Sequence, residues 1–162
     1  MKNQNQLTLE NDNQSLEHAI QQKRFKDEWQ KAAVNILYTG SWLKNMSNDF
    51  LKAFGLTAQQ YNVLRILRGQ YPNGITTLEI RKRLLDKMSD TSRLVDRLER
   101  DGWVSKQRAA DDKRLVSVVI TQKGLDCLKE IDSQEDALNG VIRKLSSQEA
   151  IQLSQLLDKI RG

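Results

Sequence analysis

Cysteine and histidine are nearly absent, with Cys127 and His18 alone in 162 residues. A single cysteine excludes a disulfide framework and a multi-thiolate metal site. A single histidine excludes His–His and His–Cys clusters and leaves little for imidazole chemistry. There is one proline, and aromatic residues make up 6% of the chain, a composition that suits a mainly helical fold. No apolar run approaches the ~20 residues a bilayer span requires, so no membrane partner is expected. The opening MKNQNQLTLENDNQ lacks the apolar stretch of a secretory signal, which makes the cytoplasm the expected compartment. No Gly-rich phosphate loop, Ser–His–Asp set or inward-facing carboxylate pair is evident, so neither catalysis nor a cofactor or metal is expected.

What the chain does have is charge. Lys and Arg number 26 against 21 Asp and Glu, a net +5 with a pI near 9.4. Hydrophobic residues make up 38% and the mean hydropathy is -0.64, the profile of one surface-rich domain or half of an obligate dimer. A basic balance favours nucleic acid or another anionic surface as partner, though net charge alone does not decide it. Between Ile75 and Ile120 bases and acids are both dense, so the excess matters only if the bases share a face.

Punctuation divides the chain into four stretches. Residues 1–20 are rich in Asn and Gln without an apolar period, a polar and flexible arm. Residues 21–55 carry Phe25, Trp29, Ala32, Ile36, Thr39, Leu43, Met46, Phe50 and Ala53 in alternating steps of four and three. That spacing predicts a helix of about thirty residues whose seam packs on another helix or another subunit. Residues 56–120 and 121–162 hold the remaining helix starts. Leu56-Thr57 with Gln60, Ile75-Thr76 with Glu79, and Leu145-Ser146 with Glu149 each read as a capping box with a hydrophobic staple. Ile120-Thr121 is a partial copy, and Tyr71-Pro72-Asn73-Gly74 closes the helix that Thr57 opens.

Two central helices are predicted, about Thr77 to Leu85 and about Ser89 to Asp101, the second stopped by Gly102. At 100° per residue, Thr91, Leu94, Val95 and Leu98 share one face of the second helix. Ser89, Ser92, Arg93, Asp96 and Arg100 share the opposite face, with Arg97 at its border. Small hydroxyls at the N-terminus and arginines beyond suit a helix that reads the major groove, because small side chains permit close approach and arginine binds guanine edges bidentately. A plain solvated helix face would look the same in isolation. Trp103–Arg108 and the β-branched Leu115–Ile120 then read as paired strands around a basic loop, Ala109–Arg114. Two short helices followed by such a hairpin make a winged helix-turn-helix, mainly α with a small β wing. The wing tip is placed where arginine gains from the narrow minor groove.

These motifs, in this order, resemble the MarR family of bacterial transcription regulators. The resemblance rests on Ser89, the run Ser92-Arg93-Leu94-Val95-Asp96-Arg97-Leu98-Glu99, Gly102-Trp103-Val104, Asp112-Lys113-Arg114 and Thr121-Gln122-Lys123-Gly124. It is strong from about Leu56 to Gly124, and it extends by layout to the long first helix and the C-terminal helices. It implies a homodimer in which the N-terminal helix and the C-terminal helices of two subunits interleave. It implies two winged domains that meet successive major grooves of a pseudo-palindromic double-stranded operator, about 34–36 Å apart. The DNA-binding residues so implied are Thr77, Ser89, Asp90, Ser92, Arg93, Arg97, Lys106, Arg108, Lys113 and Arg114, with Asp112 orienting Arg114 into the minor groove. Arg93 would read base edges, and Lys106 and Arg108 would mostly meet phosphate.

The family also binds small aromatic or anionic effectors near the junction of dimer and DNA modules. Tyr38 and Trp42, i,i+4 neighbours on the long helix, could line such a pocket, although core packing explains them as well. The resemblance thus implies a ligand-responsive regulator, with repression its expected mode. Cys127 reads as structural, since the redox-sensing branch of the family carries its cysteine on the N-terminal helix. His18 reads as a solvated residue of the arm. A winged-helix module that binds a protein partner instead of DNA is the other function class compatible with this pattern.

Overall fold

The computed structural model of the chain describes residues 15–108, 116–134 and 140–162. The helices are α1 Leu16–Ala19, α2 Glu28–Leu51, α3 Ala58–Arg68, α4 Thr77–Arg83, α5 Thr91–Arg100, α6 Gln122–Ser133 and α7 Ser147–Arg161. Three short strands, β1 Ile75–Thr76, β2 Val104–Arg108 and β3 Val116–Ile120, form one antiparallel sheet in the order β1-β3-β2. The expected mainly helical winged helix-turn-helix is the fold observed. Residues 1–45 and 46–162 form two compact units.

In the first unit, Ser15 caps α1 by accepting the His18 N–H, and Leu16 is buried. Glu17 pairs with Lys31 of α2 at 2.5 Å. This pairing holds the Glu17 carboxyl below its ordinary pKa and the Lys31 ammonium above its own. The apolar seam expected on α2 is exposed over its first half, at Trp29, Ala32, Ile36 and Thr39, and half-buried at Leu43, Met46 and Phe50.

The second unit contains the core. Val63, Leu64 and Leu67 of α3, Ile80 of α4, Val95 and Leu98 of α5, Val118 of β3 and Leu128 of α6 are fully excluded from water. Burial of such side chains contributes roughly 1.5–3 kcal/mol each. Gly55 adopts a left-handed φ of 70°, which ends the helical stretch that includes Lys52–Phe54 and sends the chain into Leu56. The capping boxes at Thr57/Gln60 and Ser146/Glu149 are both formed. At Thr76 only half of the expected box exists. Thr76 accepts the Glu79 N–H, but the Glu79 carboxylate turns to Lys82 at 2.7 Å and Arg83 at 3.6 Å.

Several element ends differ from the sequence expectation, among them α2, which spans Glu28–Leu51 and is shorter than the expected thirty residues. The helix opened by Thr57 stops at Arg68, before the Tyr71–Gly74 turn. Helix α4 stops at Arg83, because Leu84 becomes extended and drives its side chain into the core. Helix α5 begins at Thr91 rather than Ser89, since Asp90 is the residue that caps it. The sheet has also gained a strand. Ile75 and Thr76 pair with Val118 and Ser117 as well as opening α4. A Cβ on Gly74 would lie 2.7 Å from Val119 Cγ2, so only glycine lets β1 come this close to β3.

Candidate nucleic-acid interface

The recognition helix follows from its sequence period. Thr91, Leu94, Val95 and Leu98 are buried, whereas Ser92, Arg93, Asp96, Arg97 and Arg100 are exposed. Asp90 accepts the Arg93 N–H at 3.1 Å with one oxygen and meets Arg93 Nε at 3.1 Å with the other. The cap therefore also steers the guanidinium. At the far end Gly102, with φ 78°, donates its N–H to the Glu99 carbonyl, and Trp103 donates to the Leu98 carbonyl. These are the two bonds of a helix stop built on a left-handed glycine. They turn the chain directly into β2.

Lys106 of β2 lies against the same helix. Its Nζ is 2.6 Å from Asp96 Oδ1 and 2.7 Å from Glu99 Oε2, and its backbone N–H donates to Glu99 Oε1 at 3.3 Å. Asp96 first and Glu99 second hold the ammonium above the ordinary lysine range. The lysine expected to meet phosphate is thus a clamp that fixes the first wing strand to the recognition helix. Its N–H contact also satisfies a donor on the free edge of the sheet. Arg100 similarly reaches Asp101 at 3.0 Å, and Arg97 makes no ion pair with a described residue.

Strand β2 pairs with β3 in the register Val104↔Ile120, Lys106↔Val118 and Arg108↔Val116. The hairpin is closed at its base by Thr121. Its N–H donates to the Trp103 carbonyl at 3.1 Å, and its hydroxyl bonds the Gly102 and Trp103 carbonyls at 2.8 and 3.0 Å. Three residues on, a Cβ at Gly124 would lie 2.7 Å from the Trp103 oxygen and 2.6 Å from Ile120 Cγ1. The Thr-x-x-Gly motif is therefore a joint between wing and α6.

Residues 56–116 match the model of the MarR family. The chain is 28% identical to the transcriptional repressor MprA of Escherichia coli strain K12 over 125 residues, which are 76% of this chain and 71% of that protein. It is 30% identical over 115 residues to the multiple antibiotic resistance protein MarR of Salmonella typhimurium, covering 70% of this chain and 78% of that one. This chain belongs to the MarR family. The fold of a mutant Escherichia coli MarR complexed with operator DNA superposes with a TM-score of 0.74 at 26% identity, over 85% of this chain and 99% of that one.

Within this MarR family chain the sequence-predicted site residues are dispersed over several elements. Ser92, Arg93 and Arg97 come together on the exposed face of α5. Asp90 and Lys106 belong to the scaffold of that face through the contacts above, and Ser89 lies in the turn before it, with its hydroxyl on Gln59 at 2.9 Å. Thr77 is the first residue of α4 and half-buried. Arg108 is placed by its strand pairing with Val116. Asp112, Lys113 and Arg114 lie outside the described residues.

Tyr38 and Trp42 are about two-fifths exposed on α2, so neither is core within the single chain. They are also absent from an open concavity of about 600 Å³ lined by Ala53, Phe54, Trp103, Lys123, Asp126, Cys127 and Glu130. There Lys123 Nζ sits 4.1 Å from the centre of the Trp103 ring and donates to the Asp101 carbonyl at 2.7 Å. Cys127 is buried, and burial pushes its thiol pKa up, the setting of an inert cysteine rather than a reactive one. Among the described residues no group of side chains could hold a metal ion. No helix among them is long and apolar enough to cross a membrane. Gln59 and Asn62, which hold the turn before α5, carry no recognisable sequence signal and were not foreseen.

Proposed function

We propose that this MarR family chain is a transcriptional regulator that binds double-stranded DNA sequence-specifically as a homodimer. The observation that carries this reading is the exposed face of α5, where Ser92, Arg93 and Arg97 stand clear of the core while Asp90 and Lys106 fix the helix and the wing strand behind them. Small hydroxyl and guanidinium groups on a helix of defined start suit direct reading of base edges. The likeness to a MarR complexed with operator DNA supports the same role. A winged helix devoted to a protein partner has no need of arginines arrayed on that face.

Repression in response to a small aromatic or anionic effector, with Tyr38 and Trp42 near its site, is the expected mode. The cytoplasm, and the nucleoid when DNA is bound, is its expected location. The test is selection from a random duplex library by the full chain, followed by gel shifts on the enriched sequence. A pseudo-palindrome with half-sites one helical turn apart, about 34–36 Å, is expected. Enrichment of no sequence over the starting pool overturns the reading.

A further inference from the structure

The segment that leads into α5 is held by polar contacts from α3. It leaves the core at Leu84 and re-enters at Thr91, both buried. Between them the apolar side chains face water, Leu85 at 87% exposure and Met88 at 93%. Among the described residues, neither side chain serves as a hydrophobic anchor for the turn. In its place, Gln59 Nε2 donates to Asp86 Oδ2 and to Ser89 Oγ, each at 2.9 Å. One turn along the same helix, Asn62 Oδ1 accepts the Leu85 N–H at 3.1 Å, while Asp86 Oδ1 accepts the Met88 N–H at 3.1 Å. The base of this bracket is itself rigid: Thr57 and Gln60 cap α3, and Asn48 accepts the Ala58 N–H at 2.8 Å.

We propose that Gln59 is a positioning residue for base recognition, whose amide, bridging Asp86 and Ser89, sets where and at what angle the recognition helix begins. The inference rests on the DNA-binding reading above and assigns Ser89 to the bracket instead of the groove. An exposed helix start that shifts by a fraction of an ångström misplaces Ser92 and Arg93 together, and directional hydrogen bonds to bases tolerate little misplacement. Contacts to phosphate, which follow charge more than angle, survive such a shift.

The experiment uses the full chain with Gln59→Ala, Gln59→Glu and the pair Gln59→Glu/Asp86→Asn. Three quantities are read: amide hydrogen exchange over residues 85–93 in the free protein, affinity for the selected duplex and for a random duplex of equal length at fixed salt, and melting temperature. Gln59→Ala should speed exchange across the turn and lower affinity for the selected duplex about tenfold, in line with loss of a charge-assisted hydrogen bond. Random-duplex affinity and melting temperature should stay at their wild-type values. Gln59→Glu places a carboxylate against Asp86 and should do the same or more, and Asp86→Asn should restore it by reversing donor and acceptor. Unchanged preference in Gln59→Ala overturns the proposal. So does an equal loss on both duplexes with a lowered melting temperature, and so does a paired variant that fails to recover. A wild-type chain that prefers no duplex overturns the DNA-binding reading and this inference with it, and that failure is visible before any variant is compared.

Discussion

Arg93 and Lys106 are both basic residues near the groove face, yet their surroundings give them different work. Arg93 is 80% exposed, and its ion pair among the described residues is with the cap, Asp90. Lys106 has two carboxylates on its ammonium and a side chain only 30% exposed. Because its pKa is raised, the clamp is fully formed below the ordinary lysine value and is lost only as pH climbs through the raised one, so it is intact throughout the neutral range. Arg93→Ala should relax discrimination at one or two operator positions by roughly 1–3 kcal/mol each. Lys106→Met and Glu99→Gln should both weaken operator binding, since each opens the same clamp, and neither should alter the salt slope. Salt titrations of the three variants check this. If Lys106→Met flattens the slope by about one unit while Glu99→Gln tightens binding, Lys106 is a phosphate contact after all.

Elements are joined as tightly as residues are, and the joint between wing and α6 shows it best. Gly124→Ala must push a methyl group into the Trp103 carbonyl and Ile120, and backbone cannot step aside as a flexible side chain would. The expected loss is about 2 kcal/mol in a denaturant titration, typical of overpacking, and an unchanged midpoint would show that α6 slides freely on the hairpin. The sequence made much of this scale legible. Hydroxyl caps at Thr57, Thr121 and Ser146 act locally, so each stands where its tetrapeptide says. The buried stripe of α5 follows from period alone. Ser89 and Asp90 are both competent caps, and only the pull of Gln59 on Ser89 decides between them. Strand β1 has two residues, too few for any alternation to register. The Lys106 clamp and the Gln59 bracket join positions ten and about thirty residues apart, and no local pattern encodes a contact of that kind.

At the scale of the whole molecule, two helices of the described chain leave large apolar side chains in water. Helix α7 buries none of its side chains, with Ile151, Leu153, Leu156 and Ile160 all exposed, and α2 exposes Trp29, Leu37 and Trp42. Large exposed apolar faces mark association surfaces. A second copy of the chain is the expected cover for each of these faces. Folding and dimerisation should then be one event, with a melting temperature that rises with protein concentration. Sedimentation that finds a folded monomer at micromolar concentration would remove the homodimer.

The mixed charge of the recognition face also bears on how a genome is searched. Arg93 and Arg100 each already hold a carboxylate of their own surface. A duplex that engages either guanidinium must compete with that carboxylate, which offsets part of what counterion release contributes to binding. Residence on arbitrary sequence should then be shorter than the net charge of +5 alone would give. Only a site whose base edges satisfy the displaced arginines detains the protein.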